Sequence, residues 1–212
     1  MTDASRVALV VAVLFAVLNW IAVAQRRKPL EYATKPVVMA ALIVAVGAFD
    51  VADGPRRWAF VVALAFSLLG DVFLMLPRDR FLLGVASFFV AHLAYIVGLR
   101  MDETSAVALV IGLLAVAAFA LTVGRRIVLA VREKVPELST PVSAYVAVIS
   151  VMVVSAIATR NAYAAAGAIV FMASDTLIAW NRFVQALAWA PVTIMVTYHL
   201  GQAALSLSLV RG

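Results

Sequence analysis

Two carboxylates stand where an apolar chain least accommodates charge. Asp71 lies inside the run Ser67-Leu68-Leu69-Gly70-Asp71-Val72-Phe73-Leu74-Met75-Leu76, and Asp175 lies inside Ile169-Val170-Phe171-Met172-Ala173-Ser174-Asp175-Thr176-Leu177-Ile178. Each follows a small residue and comes several residues before its hydrophobic run ends. An ionisable group within a membrane helix costs roughly 2.5–3.5 kcal/mol even on the lenient insertion scale, so two of them call for a purpose. Carboxylates that share a buried site supply a general acid and a general base together: two like charges at short range cannot both be carried, and one group keeps its proton. Asp71 and Asp175 are therefore expected to form one site.

Other polar side chains are scattered through the same apolar stretches: Asn19, Lys35, His92, Tyr95, Tyr198, His199 and Gln202. Each has an ordinary structural reading. Lys35 reads as an interfacial lysine whose stem lies in the apolar layer and whose ammonium reaches the surface. The histidines read as packed rings bonded to a neighbouring helix. Tyr95, one turn from His92, and Gln202, one turn beyond Tyr198, read as contacts between helices.

The elements that carry these residues are membrane helices. Of 212 residues, 66% are hydrophobic and 13% charged, with mean hydropathy +1.07; soluble domains run about 45–50% apolar and about 25% charged. Cysteine is absent, which excludes disulfides, thiolate catalysis and cysteine-ligated metal centres. A span needs about 20 mostly apolar residues. On that measure eight segments cross: 5–24, 36–49, 58–76, 81–99, 105–123, 141–158, 162–180 and 190–210. The expected fold class is all-α, a polytopic bundle of eight transmembrane helices in one domain over residues 1–212. The first segment is too long for a signal-peptide core and runs into Gln25-Arg26-Arg27-Lys28 rather than a cleavage site, so it is expected to stay as an anchor. Pro36 and Pro141 are expected to open their helices, with Thr140 as a cap. Pro77 with Arg78-Asp79-Arg80 makes a tight turn that folds segments three and four into an antiparallel hairpin. Residues 124–140 form the longest polar connection and divide the helices four and four.

The net charge of +6 reads as a topology signal in the loops rather than a nucleic-acid surface. With the N-terminus outside, the inner connections hold eleven Lys and Arg; the outer side holds six, namely Arg6, Arg56, Arg57, Arg100, Arg160 and Arg211. Both termini are therefore placed outside. At about 1.5 Å per residue, Asn19, Asp71 and Asp175 each fall roughly 7–8 Å inside the inner face, with Lys35 just beneath them and His92 and His199 nearer the middle. The halves also read as a weak parallel 4+4 repeat. Each has a small residue before Asp on its third helix and a histidine on its fourth, 21 residues from Asp71 to His92 and 24 from Asp175 to His199.

In these residues the chain resembles the YhhN family of bacterial membrane proteins, which includes the animal lysoplasmalogenases. The matching pieces are Lys35-Pro36, Ser67-Leu68-Leu69-Gly70-Asp71, Phe81-Leu82-Leu83-Gly84 leading to Ala91-His92-Leu93-Ala94-Tyr95, Phe171-Met172-Ala173-Ser174-Asp175, and Tyr198 with Gln202. The family pattern has a second tyrosine where His199 stands. The resemblance implies an eight-helix enzyme of the cell (inner) membrane that cleaves the vinyl ether bond of lysoplasmalogen, or of a related ether lysolipid, to a fatty aldehyde and a glycerophospho-base. Its partners are then a lysophospholipid and the bilayer. Such hydrolysis protonates the β-carbon of the vinyl ether and captures the resulting oxocarbenium ion with water. In that scheme Asp71 and Asp175 are the acid/base pair and Lys35 holds the lipid phosphate. Asn19, His92, Tyr95, Tyr198, His199 and Gln202 line the substrate site, and neither metal nor cofactor is called for.

Three other functions fit less well. A proton-coupled transporter of small molecules or lipids would also set carboxylates in a bundle, but the segments lack the Gly/Pro-broken helices that often mark transport sites, Pro191 near a helix end being the nearest candidate. An intramembrane aspartyl protease would have a further glycine where Leu68 stands, and a Pro-Ala-Leu sequence in a later helix. A metal hydrolase built on Asp71, Asp175, His92 and His199 is disfavoured by the difference in depth between acids and histidines.

Overall fold

Every regular element of the computed structural model, which describes residues 1–78 and 80–210, is helical. The α-helices are α1 (Asp3–Ala24), α2 (Lys28–Gly47), α3 (Gly54–Met75), α4 (Phe81–Arg100), α5 (Ala106–Phe119), α6 (Arg125–Lys134), α7 (Ser139–Ala158), α8 (Ala162–Ala179) and α9 (Ala190–Leu207). A π-helical turn, Ala120–Gly124, joins α5 and α6 into one rod, and a second, Trp180–Val184, extends α8. The nine labels thus describe eight rods. Among the described residues, seven helices are long and apolar enough to cross a membrane. The eighth rod, α9, is 18 residues long and less apolar because it carries Tyr198, His199 and Gln202.

Three boundaries differ from the expectation. Helix α2 starts at Lys28 with Pro29 in its first turn and runs through Pro36, which has no N–H for the carbonyl four residues back. Lys35 therefore sits well inside a helix rather than at its end. Likewise α7 begins at Ser139 after a short turn at Pro136–Leu138, so Thr140 is not the cap; Pro141 falls in the first turn, where a missing N–H costs nothing. The polar connection 124–140 is largely helix: α6 buries Ile127 and Val131 and turns its charges outward. Two residues used above, Asp79 of the turn and Arg211 of the charge count, lie outside the described residues.

Sequential helices pair, α1 on α2, α3 on α4 and α8 on α9, and the pairs join through α2 with α3, α4 with α7, α7 with α8 and α9 with α1. Seven helices so close a ring, while α5 stands outside it against α7. Only Gly112 of α5 is buried, and Val107, Leu113 and Leu114 are open on its surface, as suits a helix facing lipid on most sides. The α8–α9 contact is the tightest. A Cβ on Gly201 would come within 2.8 Å of the Phe171 amide nitrogen, and one on Gly167 within 2.6 Å of the Leu205 nitrogen; in a membrane such close approach is how helices gain packing energy.

The helix ends gather at two poles. One is stitched by Thr2 to the Ala48 carbonyl (2.8 Å), Arg56 to Asp102 (2.6 Å), the Ser105 amide to the Ala158 carbonyl (2.8 Å) and Asn161 to the Ser208 carbonyl (3.0 Å). The first and last described helices therefore begin and end at the same pole. The other pole holds most of the basic residues, including Arg26, Arg27, Arg125, Arg126 and Arg182.

Candidate functional site

The two acids lie in the interior toward the basic pole, on the inward faces of α3 and α8. Asp71 is closed in on all sides: its side chain is 2% exposed, Lys35 Nζ meets Oδ1 at 2.8 Å, and the Tyr198 hydroxyl donates to Oδ2 at 2.7 Å. Both oxygens are held by donors, one of them a cation, an arrangement that fixes an ionised carboxylate. Lys35, itself 6% exposed, is likewise committed to that pair. In so low a dielectric the pair persists only because each charge answers the other.

Asp175 has a different environment. The Tyr145 hydroxyl donates to its Oδ2 at 2.5 Å, and His92 Nε2 lies 3.8 Å from the same oxygen, too far for a hydrogen bond as it stands. His92 Nδ1 is 2.5 Å from the Phe88 carbonyl. A carbonyl only accepts, so the ring proton of neutral His92 resides on Nδ1 and the buried Nε2, which has no hydrogen-bond partner, presents a lone pair to Asp175. Two acceptors face one another there unless a further proton belongs to one of them. The ring of Tyr198, bonded to Asp71, and the ring of His92, beside Asp175, both pack against Phe171, with centroids 5.5 Å and 5.0 Å from its own.

A partner of the same type of origin thus serves each acid. The preceding helix of the same half supplies one, Lys35 on α2 or Tyr145 on α7. The last helix of the opposite half supplies the other, Tyr198 on α9 or His92 on α4. The counterpart of His92 is accordingly Tyr198, not His199 as the repeat spacing had it. Tyr198 and His199 are adjacent, and successive residues of an α-helix point about 100° apart. His199 faces α1, where its Nδ1 accepts from Trp20 Nε1 at 3.0 Å. Asn19 is also away from the acids: its amide donates to Thr34 Oγ1 at 3.0 Å and ties α1 to α2. Tyr95 donates to Gln202 Oε1 at 2.5 Å, bridging α4 and α9 behind Tyr198. Ser174, before Asp175, bonds the Ile194 carbonyl at 3.0 Å and draws α8 to α9.

The depth argument also changes. The π turn carries α8 on to Val184, so Asp175 is further from the rod's end than the segment suggested, and side chains lean toward their own helix N-terminus. On the antiparallel α4 and α8 that lean brings His92 and Asp175 toward each other. Among the described residues, no three His, Asp or Glu side chains converge as a metal site would need.

Beside Asp175 lies an apolar chamber in the angle between α4, α7, α8 and the α5–α6 rod. Leu74, Val85, Phe119, Ile149 and Met172 form its walls, Tyr145 and Asp175 its polar end, and Phe81, Ile127 and Phe183 its rim toward the basic pole. Asp71 does not line it. Sequence reading missed Tyr145, whose only signal was a hydroxyl one turn after Pro141 in an apolar segment.

The sequence that builds these acids, partners and chamber matches the YhhN family over residues 30–209. The chain belongs to the YhhN family. Among curated relatives of this YhhN protein, Lysoplasmalogenase TMEM86B of Homo sapiens is 32% identical over 149 residues, 70% of this chain and 62% of that protein. Lysoplasmalogenase TMEM86B of Sus scrofa is 32% identical over 168 residues, 79% and 70% of the two chains. A Lysoplasmalogenase of Mycobacterium bovis is 31% identical over 161 residues, 69% and 58%. No solved structure matches.

Proposed function

We propose that this YhhN protein hydrolyses the vinyl ether bond of a lysoplasmalogen or related ether lysolipid, and that Asp175 is the group that moves the proton. The observation that carries the reading is a carboxyl at the polar end of an apolar chamber, held by a tyrosine and facing an unprotonated histidine nitrogen. The relatives named lysoplasmalogenase agree with it. The alkenyl chain fills the chamber and brings its vinyl ether to Asp175. Protonated Asp175 delivers its proton to the β-carbon, the double-bond electrons form the new C–H bond, and the adjacent carbon becomes an oxocarbenium ion. The carboxylate left on Asp175 lies beside that cation and takes a proton from the attacking water. The hemiacetal then collapses to the aldehyde and the glycerol hydroxyl. Tyr145 holds Asp175 in place, and His92 Nε2 gives its proton somewhere to rest between turnovers. Asp71, kept ionised by Lys35, supplies fixed negative charge behind Tyr198. In this scheme Lys35 serves Asp71 instead of the lipid phosphate expected from sequence.

Turnover in D₂O tests the scheme because protonation at carbon leaves a permanent mark. One deuterium is expected on the carbon next to the aldehyde, with the aldehyde oxygen drawn from water and the ether oxygen retained on glycerol. Aldehyde quenched before keto–enol exchange that lacks the deuterium, or inherits its oxygen from the lipid, rules the mechanism out. Turnover should also persist in detergent, where a transporter has no gradient to use.

A further inference from the structure

A lipid dissolved in the bilayer has to pass a wall to reach the chamber, and the walls are held unequally. Three of the helices that line it, α4, α7 and α8, belong to the ring and pack against ring neighbours on both sides. The fourth wall is the α5–α6 rod, which gives Phe119 and Ile127 to the chamber and stands outside the ring. The rod is pinned at two places. At one, Gly112 nests on α7, where a Cβ would come within 3.3 Å of the Val154 Cα. At the other, toward the basic pole, Ile127 and Val131 are buried and Lys134 Nζ bonds the Phe183 and Val184 carbonyls at 2.8 and 3.2 Å. Between Gly112 and Ile127 only Gly124 is buried. That loosely held stretch contains the π-helical turn Ala120–Gly124, a rare form that is frequent at functional sites. Thr122 Oγ1 donates to the Ala118 carbonyl at 2.7 Å, a back-bond that favours bending. The Phe119 ring lies against Gly124: a Cβ built there would be 3.6 Å from Phe119 Cε1 and 3.6 Å from Val146 Cγ1 of α7. The rod packs on α7 and on the α8 extension, with no comparable contact to α4 among the described residues. Rod and α4 thus face each other across a seam, Phe119 and Ile127 on one side and Val85 and Phe88 on the other, all four lining the chamber.

We infer that this seam is the lateral portal by which the lipid enters the chamber from the bilayer, and that Phe119 is its latch. The inference rests on the lipid-hydrolase reading above. A route through water would strip the lipid tail of its apolar surroundings, at a cost that grows with every methylene. A portal in a membrane-facing wall keeps the tail in apolar company throughout, and the rod is apolar on its open side, where Leu113, Leu114 and Leu121 are exposed. Opening requires the middle of the rod to swing away from α4 while both pins hold. A π turn that ends in glycine yields to such a swing where a regular α-helix resists it. Phe119 is the larger of the rod's two side chains on the chamber, and turning its ring off Gly124 clears the seam without unpacking any helix of the ring.

Because the chain has no cysteine, the rod can be tied down by an engineered one. In Gly124→Cys with Val146→Cys, a sulfur in place of the Val146 methyl falls within bonding reach of a side chain at 124, and oxidation fastens the π turn to α7. The probe is a 1-O-alkyl lysophosphocholine, a saturated ether that cannot be hydrolysed, with its binding followed in time in neutral detergent. The oxidised double variant should lose binding over the interval in which wild type saturates, and reduction should restore it; each single variant, oxidised alike, should bind as wild type does. Ether loaded before oxidation should stay bound and leave more slowly. Its expulsion would mean that the cross-link merely deforms the chamber, and that overturns the portal, as does unchanged association in the oxidised protein. Phe119→Ala should raise the association and dissociation rates together, each by about ten-fold or more, with Kd nearly unmoved, because a latch adds to the barrier in both directions. Faster dissociation alone is what a mere wall residue would give, and it removes Phe119 as the latch. Gated binding of the ether without turnover of any vinyl ether leaves the portal and removes the hydrolase. Turnover that continues at the wild-type rate in the oxidised double variant leaves the hydrolase and removes the portal.

Discussion

Asp71 and Asp175 have equivalent positions and unlike neighbours, and the difference assigns different outcomes to similar substitutions. Asp175→Asn keeps the shape and the Tyr145 contact but has no proton to give to carbon, so kcat should fall about 10²–10⁴-fold. Affinity for a saturated 1-O-alkyl lysolipid, which cannot be hydrolysed, should stay as it was; retention of a tenth of the wild-type rate would remove Asp175 from the proton-transfer step. Lys35→Met is a stability experiment. It leaves Asp71 charged and buried without its cation, which costs about 3–5 kcal/mol when one partner of a buried pair is removed, so thermal unfolding in detergent should shift down sharply. Combining it with Asp71→Asn should restore most of the stability, because no lone charge remains, without restoring turnover. A Lys35→Met protein as stable as wild type would mean that Asp71 answers the loss of its cation by taking up a proton or by reaching water. At this scale the sequence made the acids legible, since a charge in an apolar run has few excuses. It did not make Tyr145 legible, because tyrosines are common in apolar helices, nor the direction of His199, which depends on the rotation of α9.

Among the elements, the α8–α9 crossing should be the least tolerant of added bulk. At Gly201 a side chain meets backbone of the facing helix rather than flexible atoms, and overpacking of this kind costs typically 1–3 kcal/mol even where atoms can yield. Gly201→Leu should therefore lower the melting temperature and disturb Tyr198 and Ser174 together, whereas Gly47→Ala, which meets nothing within 4 Å, should be silent. If both variants melt alike, the close approach is not what holds this pair. The number of rods and most of their spans followed from hydrophobic length alone. The start of α2 and the whole of α6 did not, because Pro36 and the charges of 125–134 read as boundaries when judged locally, and only packing against α8's extension explains why helix persists there.

For the molecule as a whole, the seven-helix ring with both described ends at one pole makes a topology prediction that the chain is suited to answer, since it contains no cysteine. Asp3→Cys and Glu103→Cys should react with an impermeant thiol reagent from one side of a sealed membrane, and Glu133→Cys and Gln185→Cys only from the other. The excess of Lys and Arg at the second pole leads to the expectation that the second side is the cytoplasmic one, which the same labelling in intact cells checks. Labelling of positions 3 and 133 from the same side would break the eight-rod count. The order of the helices has a bearing on how such a chain is made. Each buried acid finds its first partner on a helix already synthesised, Lys35 on α2 before Asp71 on α3, and Tyr145 on α7 before Asp175 on α8, while the cross-half partner Tyr198 arrives last. Nascent helices can thus leave the insertion machinery as neighbours whose polar groups are already matched, instead of each bearing an uncompensated group into lipid. A chain stopped after α4 should accordingly integrate α3 efficiently, and replacing Lys35 with leucine in that short chain should make α3 slip through the membrane more often, long before the ring of helices is complete.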